Sequence, residues 1–264
     1  MLSMDRVDAQ VLMAHVLGVN RAWIAANPMR ILTETEDAKI EMLAAERAMG
    51  RPVAYLLGSR EFYGYEFAVD PNVLIPRPET ETLVEAALAR LAPRDACLDL
   101  GTGSGAIAVS IARQRPQSRV VAVDASPAAL SLARRNAANN ECAERIEFLE
   151  GSWYEPVGDR RFDVIVANPP YIAAGDKHLA QGDLRFEPAG ALSDGSFDGL
   201  DSIRAIVAGA RDHLNPRGWL LLEHGYDQAR VVAQLLEAAG FAERISIPDL
   251  AGIPRVAGGK IEAS

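Results

Sequence analysis

Phe162-Asp163-Val164-Ile165-Val166-Ala167-Asn168-Pro169-Pro170-Tyr171 decides how the rest of the chain reads. The first six residues are mostly apolar and β-branched, the pattern of a short strand buried in a parallel sheet. Two consecutive prolines stop it, because neither has an N–H to give to a ladder and both fix φ. Asn168 is thereby placed at the carboxyl end of a strand, the side on which open α/β sheets bind their ligands. Taken alone, an Asn-Pro step is only a strand stop with an aromatic after it. The neighbouring segments give it meaning.

Working back along the chain, Ala96-Cys97-Leu98-Asp99-Leu100 reads as a strand running into Gly101-Thr102-Gly103-Ser104-Gly105, with a helix from Ala106 to Arg113. Glycines at a strand-to-helix turn let a ligand approach the backbone, and the helix start offers free N–H groups. Arg119 to Asp124 is the next strand. It ends in a carboxylate placed to accept hydrogen bonds from a ribose diol. Glu147 to Glu150 follows as a third strand, then Gly151-Ser152-Trp153-Tyr154, which puts Trp153 where it can cover an adenine ring or simply pack under a loop. Gly101, Gly103 and Ala106 also satisfy the spacing of a dinucleotide turn. That fold needs a second mononucleotide-binding half, whereas here the fourth strand runs directly into Asn168-Pro169-Pro170-Tyr171.

Ahead of this unit lie about sixty residues with helical periodicity. Val7, Val11, Leu12, His15 and Val16 form one helix, stopped by Gly18 and Asn20; Arg21 to Ala26 forms a second; Thr35 to Met49 forms a third, stopped by Gly50. Aromatic residues alternating around Gly64, from Ser59 to Val69, predict a β-hairpin between two domains. Leu74-Ile75-Pro76-Arg77-Pro78-Glu79-Thr80-Glu81 then opens a helix, with Pro78 near its first turn and carboxylates matching its dipole. Arg77, locked between two prolines, is well placed for a fixed polar contact.

After Tyr171, residues 172–199 show no clear period, the mark of a lid or binding loop, and hold Arg185, Phe186, Glu187 and Pro188 as contacts for a protein substrate. Leu200 to His213 reads as a helix, Trp219 to Gly225 as a strand, Asp227 to Ala239 as a helix, and Arg244 to Pro248 and Arg255 to Ile261 as closing strands. His224 reads as a satisfied strand-end histidine in preference to a base.

Composition excludes several classes. A net charge of −9, with 24 of the 27 basic residues being scattered arginines, offers no polybasic face for a duplex. No direct nucleic-acid partner is therefore expected. No run of 18 apolar residues occurs, and Met1-Leu2-Ser3-Met4-Asp5 lacks a basic segment followed by an apolar one, so neither a membrane span nor a secretory signal is expected. Cys97 and Cys142 stand far apart without metal-ligand spacing, which reads as cytosolic packing thiols and no metal site.

The glycine turn, the Asp that ends the next strand and Asn168-Pro169-Pro170-Tyr171 together resemble a class I S-adenosyl-L-methionine-dependent methyltransferase acting on a planar amino nitrogen. Gly58-Ser59-Arg60-Glu61-Phe62-Tyr63-Gly64, Ile75 to Glu81, and Gln181-Gly182-Asp183-Leu184-Arg185-Phe186-Glu187-Pro188 narrow the likeness to the peptide chain release factor glutamine methyltransferase family. The resemblance spans nearly the whole chain. It implies an α/β catalytic domain with a Rossmann-like seven-stranded sheet (77–264), a release-factor-docking N-terminal helical domain (1–58) and a β-hairpin linker (59–76). The implied activity is methylation of the side-chain amide nitrogen (N5) of the glutamine in a Gly-Gly-Gln motif, by a cytoplasmic, monomeric enzyme whose partner is a release factor.

The resemblance also implies roles for single residues. Gly101, Thr102, Gly103, Ser104, Gly105, Asp124, Trp153 and Asn168 match S-adenosyl-L-methionine contacts; Asn168, Pro169, Pro170 and Tyr171 match the glutamine-binding motif, with Arg77 and Glu187 as further substrate contacts. Ser152 departs from the acidic residue frequent at that turn and is a weaker acceptor for an adenine amino group. The chemistry accounts for the motif. An amide nitrogen is a poor nucleophile because its lone pair is shared with the carbonyl. The Asn168 side-chain carbonyl and the Pro169 backbone carbonyl are two acceptors for the two amide N–H groups. Proline stiffness fixes them beforehand, and Tyr171 is expected to lie against the planar amide. A DNA or RNA adenine-N6 methyltransferase shares the tetrapeptide. Against it, the helices and strands of residues 172–264 leave no room there for a target-recognition domain, and the acidic charge opposes duplex binding.

Overall fold

The computed structural model describes residues 5–262; the stretch Met1–Met4 weighed above for a secretory signal lies outside them. Four helices open the chain: α1 (Arg6–Leu17), α2 (Arg21–Ala26), α3 (Glu34–Ala48) and α4 (Val53–Leu57). Local chemistry sets their ends. Asp5 accepts from Val7 N–H, Asn20 from Trp23 N–H, and Thr33 and Glu36 form a reciprocal capping box at the start of α3. The short α4 after Pro52 was not among the expected helices. Strands β1 (Ser59–Phe62) and β2 (Tyr65–Ala68) then pair as the predicted antiparallel hairpin.

A 3-10 turn (Pro78–Thr80) leads into α5 (Glu81–Leu88), and the remaining chain builds a seven-stranded sheet. Its elements are β3 (Ala96–Leu100), α6 (Ala106–Gln114), β4 (Arg119–Asp124), α7 (Pro127–Asn139), β5 (Ile146–Glu150), β6 (Phe162–Ala167), α8 (Ala189–Leu192), α9 (Asp201–Ala210), β7 (Leu214–Glu223), α10 (Ala229–Ala238), β8 (Glu243–Pro248) and β9 (Pro254–Lys260). Strand order is β5-β4-β3-β6-β7-β9-β8; the first five run parallel, and β9 is antiparallel to both of its neighbours. The chain moves outward from β3 to β4 and β5, then returns to lay β6 on the other side of β3. The carboxyl ends of β3 and β6 therefore flank the point where the winding reverses, which opens a crevice there.

Apolar side chains fill both faces of the sheet. One layer joins Leu83, Ile107, Val109 and Ile111 to Val120, Val164 and Leu221; the other joins Leu98, Val123, Ile165 and Leu220 to Ile203, Ile206, Val232 and Leu236. Cys97 and Cys142 are buried thiols within the first layer. Two further features differ from the sequence expectation. Strand β7 begins at Leu214 rather than Trp219, because its first half, with Pro216 and Arg217 at φ 66°, forms an irregular extension against β6. The unpredicted α7 is capped by Ser126, whose hydroxyl accepts from Ala129 N–H, with Pro127 as its first residue. Among the described residues no helix is long and apolar enough to cross a membrane.

Candidate active site

The turn Gly101–Gly105 leaves β3, and Asn168-Pro169-Pro170-Tyr171 leaves β6. Because Leu100 is in register with Ala167, the two turns stand side by side. A cavity of about 600 Å3 opens between them. The glycine turn forms one wall. Gly105 sits at φ 81°, and a Cβ there would meet Ala133 Cβ at 3.1 Å, so α6 and α7 can pack closely only around glycine. Thr102 donates its hydroxyl to Asp99 Oδ2 at 2.6 Å, tying the turn to the strand beneath it. Asp99 is fully buried, and burial pushes its carboxyl up to about 7 although the Thr102 hydroxyl pulls the other way.

Asp124 lines the cavity at the end of β4. Its Oδ2 accepts from Gly103 N–H at 2.8 Å and its Oδ1 from Ser126 N–H at 2.9 Å, with lone pairs left on both oxygens. Burial raises its pKa, and those two N–H groups work against the rise. Trp153 holds the left-handed value φ 46°, uncommon for a bulky residue, and its ring lies against Gly101. Ser152 lines the cavity beside it. Glycine backbone, a paired carboxylate and an indole thus surround one space. That set fits a nucleoside whose ribose meets Asp124 and whose base meets Trp153.

Asn168 and Pro170 form the facing wall. Asn168 Nδ2 donates to Thr80 Oγ1 at 3.1 Å, so the Asn168 side-chain oxygen is left without a partner among the described residues. Pro169 is buried, and its rigid carbonyl follows immediately in the turn. Tyr171 departs from expectation. Its ring borders a second cavity of about 550 Å3 rather than the first, and its hydroxyl donates to Glu223 Oε1 at 3.1 Å. The reason lies in β7, which runs beside β6 and ends in that buried carboxylate.

Arg77 borders both cavities and forms an ion pair with Glu187. Glu187 is the second departure. Its side chain is wholly buried, with Oε2 accepting from Ile75 N–H at 3.0 Å, and it borders neither cavity. A carboxylate committed to two internal donors is a clamp between the Arg77 turn and the long loop, not a contact surface. That loop is ordered by 3-10 turns (Lys177–Ala180 and Gly182–Phe186) and is stitched to the N-terminal helices. Arg47 pairs with Asp8 and Asp183, and Arg185 donates to Met49 O at 2.6 Å.

His224 is buried beside Gly225, with Nδ1 2.8 Å from the Gly225 carbonyl; burial holds its pKa down, and it lines neither cavity. Sequence reasoning missed three residues that matter here. Buried Asn136 accepts from Ala68 N–H and donates to Ala68 O and Ser104 O, fastening the hairpin to the glycine turn. Thr80 and Glu223 are the others. A charge ending the apolar run Trp219–Leu222 was the available signal for Glu223.

Comparison with known proteins agrees with this geometry. Residues 78–193 match the methyltransferase small domain and residues 2–58 the PrmC N-terminal domain. A crystal structure of a methyltransferase from Pyrococcus furiosus shares the fold, with a TM-score of 0.58 and 19% identity over 83% of this chain and 97% of that one. The release factor glutamine methyltransferase of Bordetella pertussis is 52% identical, covering 97% of this chain and 95% of the relative. That of Burkholderia pseudomallei is also 52% identical, over 98% and 93%. At such identity over nearly its whole length, this chain belongs to the release factor glutamine methyltransferase family.

Proposed function

We propose that the protein methylates the side-chain amide nitrogen of the glutamine in the Gly-Gly-Gln motif of peptide chain release factors, using S-adenosyl-L-methionine. The observation that carries this reading is the tethered Asn168 carboxamide. With Nδ2 held by Thr80, the side-chain oxygen is the free acceptor, and the Pro169 carbonyl follows it on a backbone stiffened by two prolines. Two fixed acceptors match the two N–H groups of a primary amide. Gly101, Thr102, Gly103 and Ser104 with Asp124 and Trp153 would hold the cofactor, Gly105 setting the turn. The cofactor supplies an electrophilic methyl group on a sulfonium.

The chain's own contribution is alignment and charge placement. Acceptors that do not reorganise favour positive charge growing on the amide nitrogen, and fixed orientation can supply roughly 7–11 kcal/mol of a barrier. Pro170 borders the cavity beside Asn168, while Tyr171 holds the end of the turn through Glu223. Arg77, clamped by Glu187, stands between the two cavities as the substrate-facing cation. In this reading residues 1–58 dock the release factor, 59–76 link, and 77–264 catalyse, in a monomeric cytoplasmic enzyme.

Incubation with methyl-labelled S-adenosyl-L-methionine tests the assignment. A release factor is expected to take label and its Gly-Gly-Gln to Gly-Gly-Ala variant is not. Equal labelling of both, or labelling of nucleic acid alone, would refute it.

A further inference from the structure

The loop that carries Ser152 and Trp153 to the cavity is anchored on α9 through its next residue. Tyr154 donates its hydroxyl to Ile206 O at 2.8 Å, and its ring fills the space that a Cβ on Gly209 would need, 2.6 Å from Cδ2. Against that ring lies the imidazole of His213, stacked with 4.4 Å between centroids and 18° between planes. His213 Nδ1 stands 2.9 Å from the Gly209 carbonyl oxygen, and Nε2 stands 3.0 Å from the carbonyl oxygen of Gly158, at the far end of the same loop. A carbonyl oxygen can only accept. A neutral imidazole has one N–H to give, so it would set a lone pair against one of the two oxygens; the imidazolium has two N–H groups and satisfies both. Gly209 also lies in the last turn of α9, where the orphan carbonyls of a helix favour a cation.

We propose that His213, as an imidazolium, is a positioning residue for the cofactor, pinning Gly158 to the end of α9 and so holding the Trp153 indole where the nucleoside meets it. This rests on the reading of Trp153 as the contact for the base. Trp153 sits at φ 46°, a backbone value that a bulky residue keeps only where its surroundings hold it. Glu155 N–H donates to Ser152 O at 3.0 Å and Val157 N–H to Tyr154 O at 3.1 Å, which makes the loop one unit. With both ring nitrogens engaged, that unit is fastened at Tyr154 and again at Gly158. Loss of the second ring proton turns a lone pair toward a carbonyl oxygen. One of the two contacts then opens, and the hold on Trp153 slackens. Because the fastened loop is the form that binds cofactor, cofactor binding must in turn favour the proton on His213.

The charged side chains on the surrounding elements point to other partners or to solvent. In the turn of His213 itself, Arg211 donates to Ala239 O and Gly240 O, both at 3.0 Å, and Asp212 is exposed. On the segment that carries Gly158, Arg160 pairs with Glu147, Arg161 donates to Leu214 O at 2.8 Å, and Glu155 and Asp159 are exposed. On α9, Arg204 pairs with Asp198 and Asp201 at the opposite end of the helix. Among the described residues the two carbonyls are the imidazole's only hydrogen-bond partners.

The test uses full-length protein, with S-adenosylhomocysteine as the probe and its affinity measured by calorimetry from about pH 5.5 to about pH 8.5, the range that brackets an imidazole's proton exchange. Burial also raises the Asp124 carboxyl, so the readout at each pH is a ratio, the dissociation constant of His213→Phe over that of wild type. Phenylalanine keeps a ring against Tyr154 and has no N–H to give. The ratio is expected to be about 3- to 10-fold at the acid end, the scale of one charged hydrogen bond partly shielded by solvent, and to shrink steadily toward the alkaline end. Nitrogen-15 spectra of the wild-type histidine rings need no folded variant. In them His213 should keep both ring protons to a higher pH with the probe bound than without it. A ratio that stays flat across the range overturns this proposal while leaving the assigned reaction standing, and so does a His213 ring that titrates identically with and without the probe. Wild type that binds no S-adenosylhomocysteine at any pH removes the cofactor reading of the cavity and this inference with it.

Discussion

Gly199→Ala measures how tightly the loop after Tyr171 is pressed against the motif. Gly199 sits at φ 68°, and a Cβ there would stand 2.3 Å from the Tyr171 carbonyl oxygen and 2.9 Å from Ala173 N. Both are backbone atoms, so neither can swing aside. The Tyr171 carbonyl is also held from the other side, accepting from Gln228 Nε2 at 3.0 Å. Two costs combine. A left-handed non-glycine residue costs roughly 1–2 kcal/mol, and overpacking against fixed atoms adds about 1–3 kcal/mol. The expected destabilisation is ~2–5 kcal/mol, or several degrees or more in Tm for a chain of this size. Moving the Tyr171 backbone also displaces the Asn168–Pro169 acceptors, and a 1 Å misplacement costs on the order of 100-fold in turnover. Gly195→Ala is the matched comparison. It has φ 81° but nothing within 4 Å of its Cβ, so it carries the backbone cost alone. Thermal melts and methyl-transfer rates of the two variants side by side decide the matter. Equal melting and equal rates would show that the loop is free to give way, and the argument would be wrong.

Three further outcomes follow from the same geometry. Glu223 and Asp99 hold their protons to about 7, above the ordinary carboxyl range, so each favours folding most at low pH and loses that contribution as pH rises toward 7. His224, kept neutral by burial, works oppositely and costs stability as pH falls. Isolating one group separates these effects: Glu223→Gln should melt progressively higher relative to wild type as pH rises from about 4.5 to about 7, with a level difference above that, by an amount on the order of 3 kcal/mol at most, and a difference that stays constant through that window would contradict the burial argument. Trp153→Ala should weaken S-adenosylhomocysteine binding about 10-fold, from ~1–2 kcal/mol of lost aromatic contact, with Trp153→Phe closer to wild type by calorimetry; unaltered affinity would place the nucleoside elsewhere. Glu187→Ala strands Ile75 N–H and Arg77 together and should cost about 3–5 kcal/mol, more than Glu187→Gln in denaturant titrations; the reverse ranking would remove the clamp.

Much of the architecture was legible because it is written in local terms. The apolar runs of β3, β4 and β6, the glycines between Leu100 and Ala106 and the prolines after Asn168 each act on their own few residues, and a cavity opens between the two turns they build. The signals for α7 were also local, Ser126 followed by Pro127, though the helix was not predicted. The misreadings concern residues whose partners lie far along the chain. Glu187 looks like a substrate contact until Ile75 and Arg77, 112 and 110 residues away, are brought to it. Tyr171 looks free to cover an amide until the end of β7 supplies Glu223. The early start of β7 was hidden by Pro216, which argues against a strand in isolation but is tolerated in an irregular stretch. Thr80 reads as a helix-start residue, and nothing near it in sequence announces that it touches Asn168, 88 positions later.

Arg47 and Arg185 give the N-terminal helices a second attachment besides the peptide chain itself. Because Asp183 and Gly182 help form the rim of the second cavity, a pull on the first fifty residues is felt at that rim and not only at the hairpin. The helical unit therefore behaves as a buttress rather than a dangling handle. Cutting it away would leave residues 182–186 without their outer support, and the rim would slacken even though no residue bordering the larger cavity had been touched.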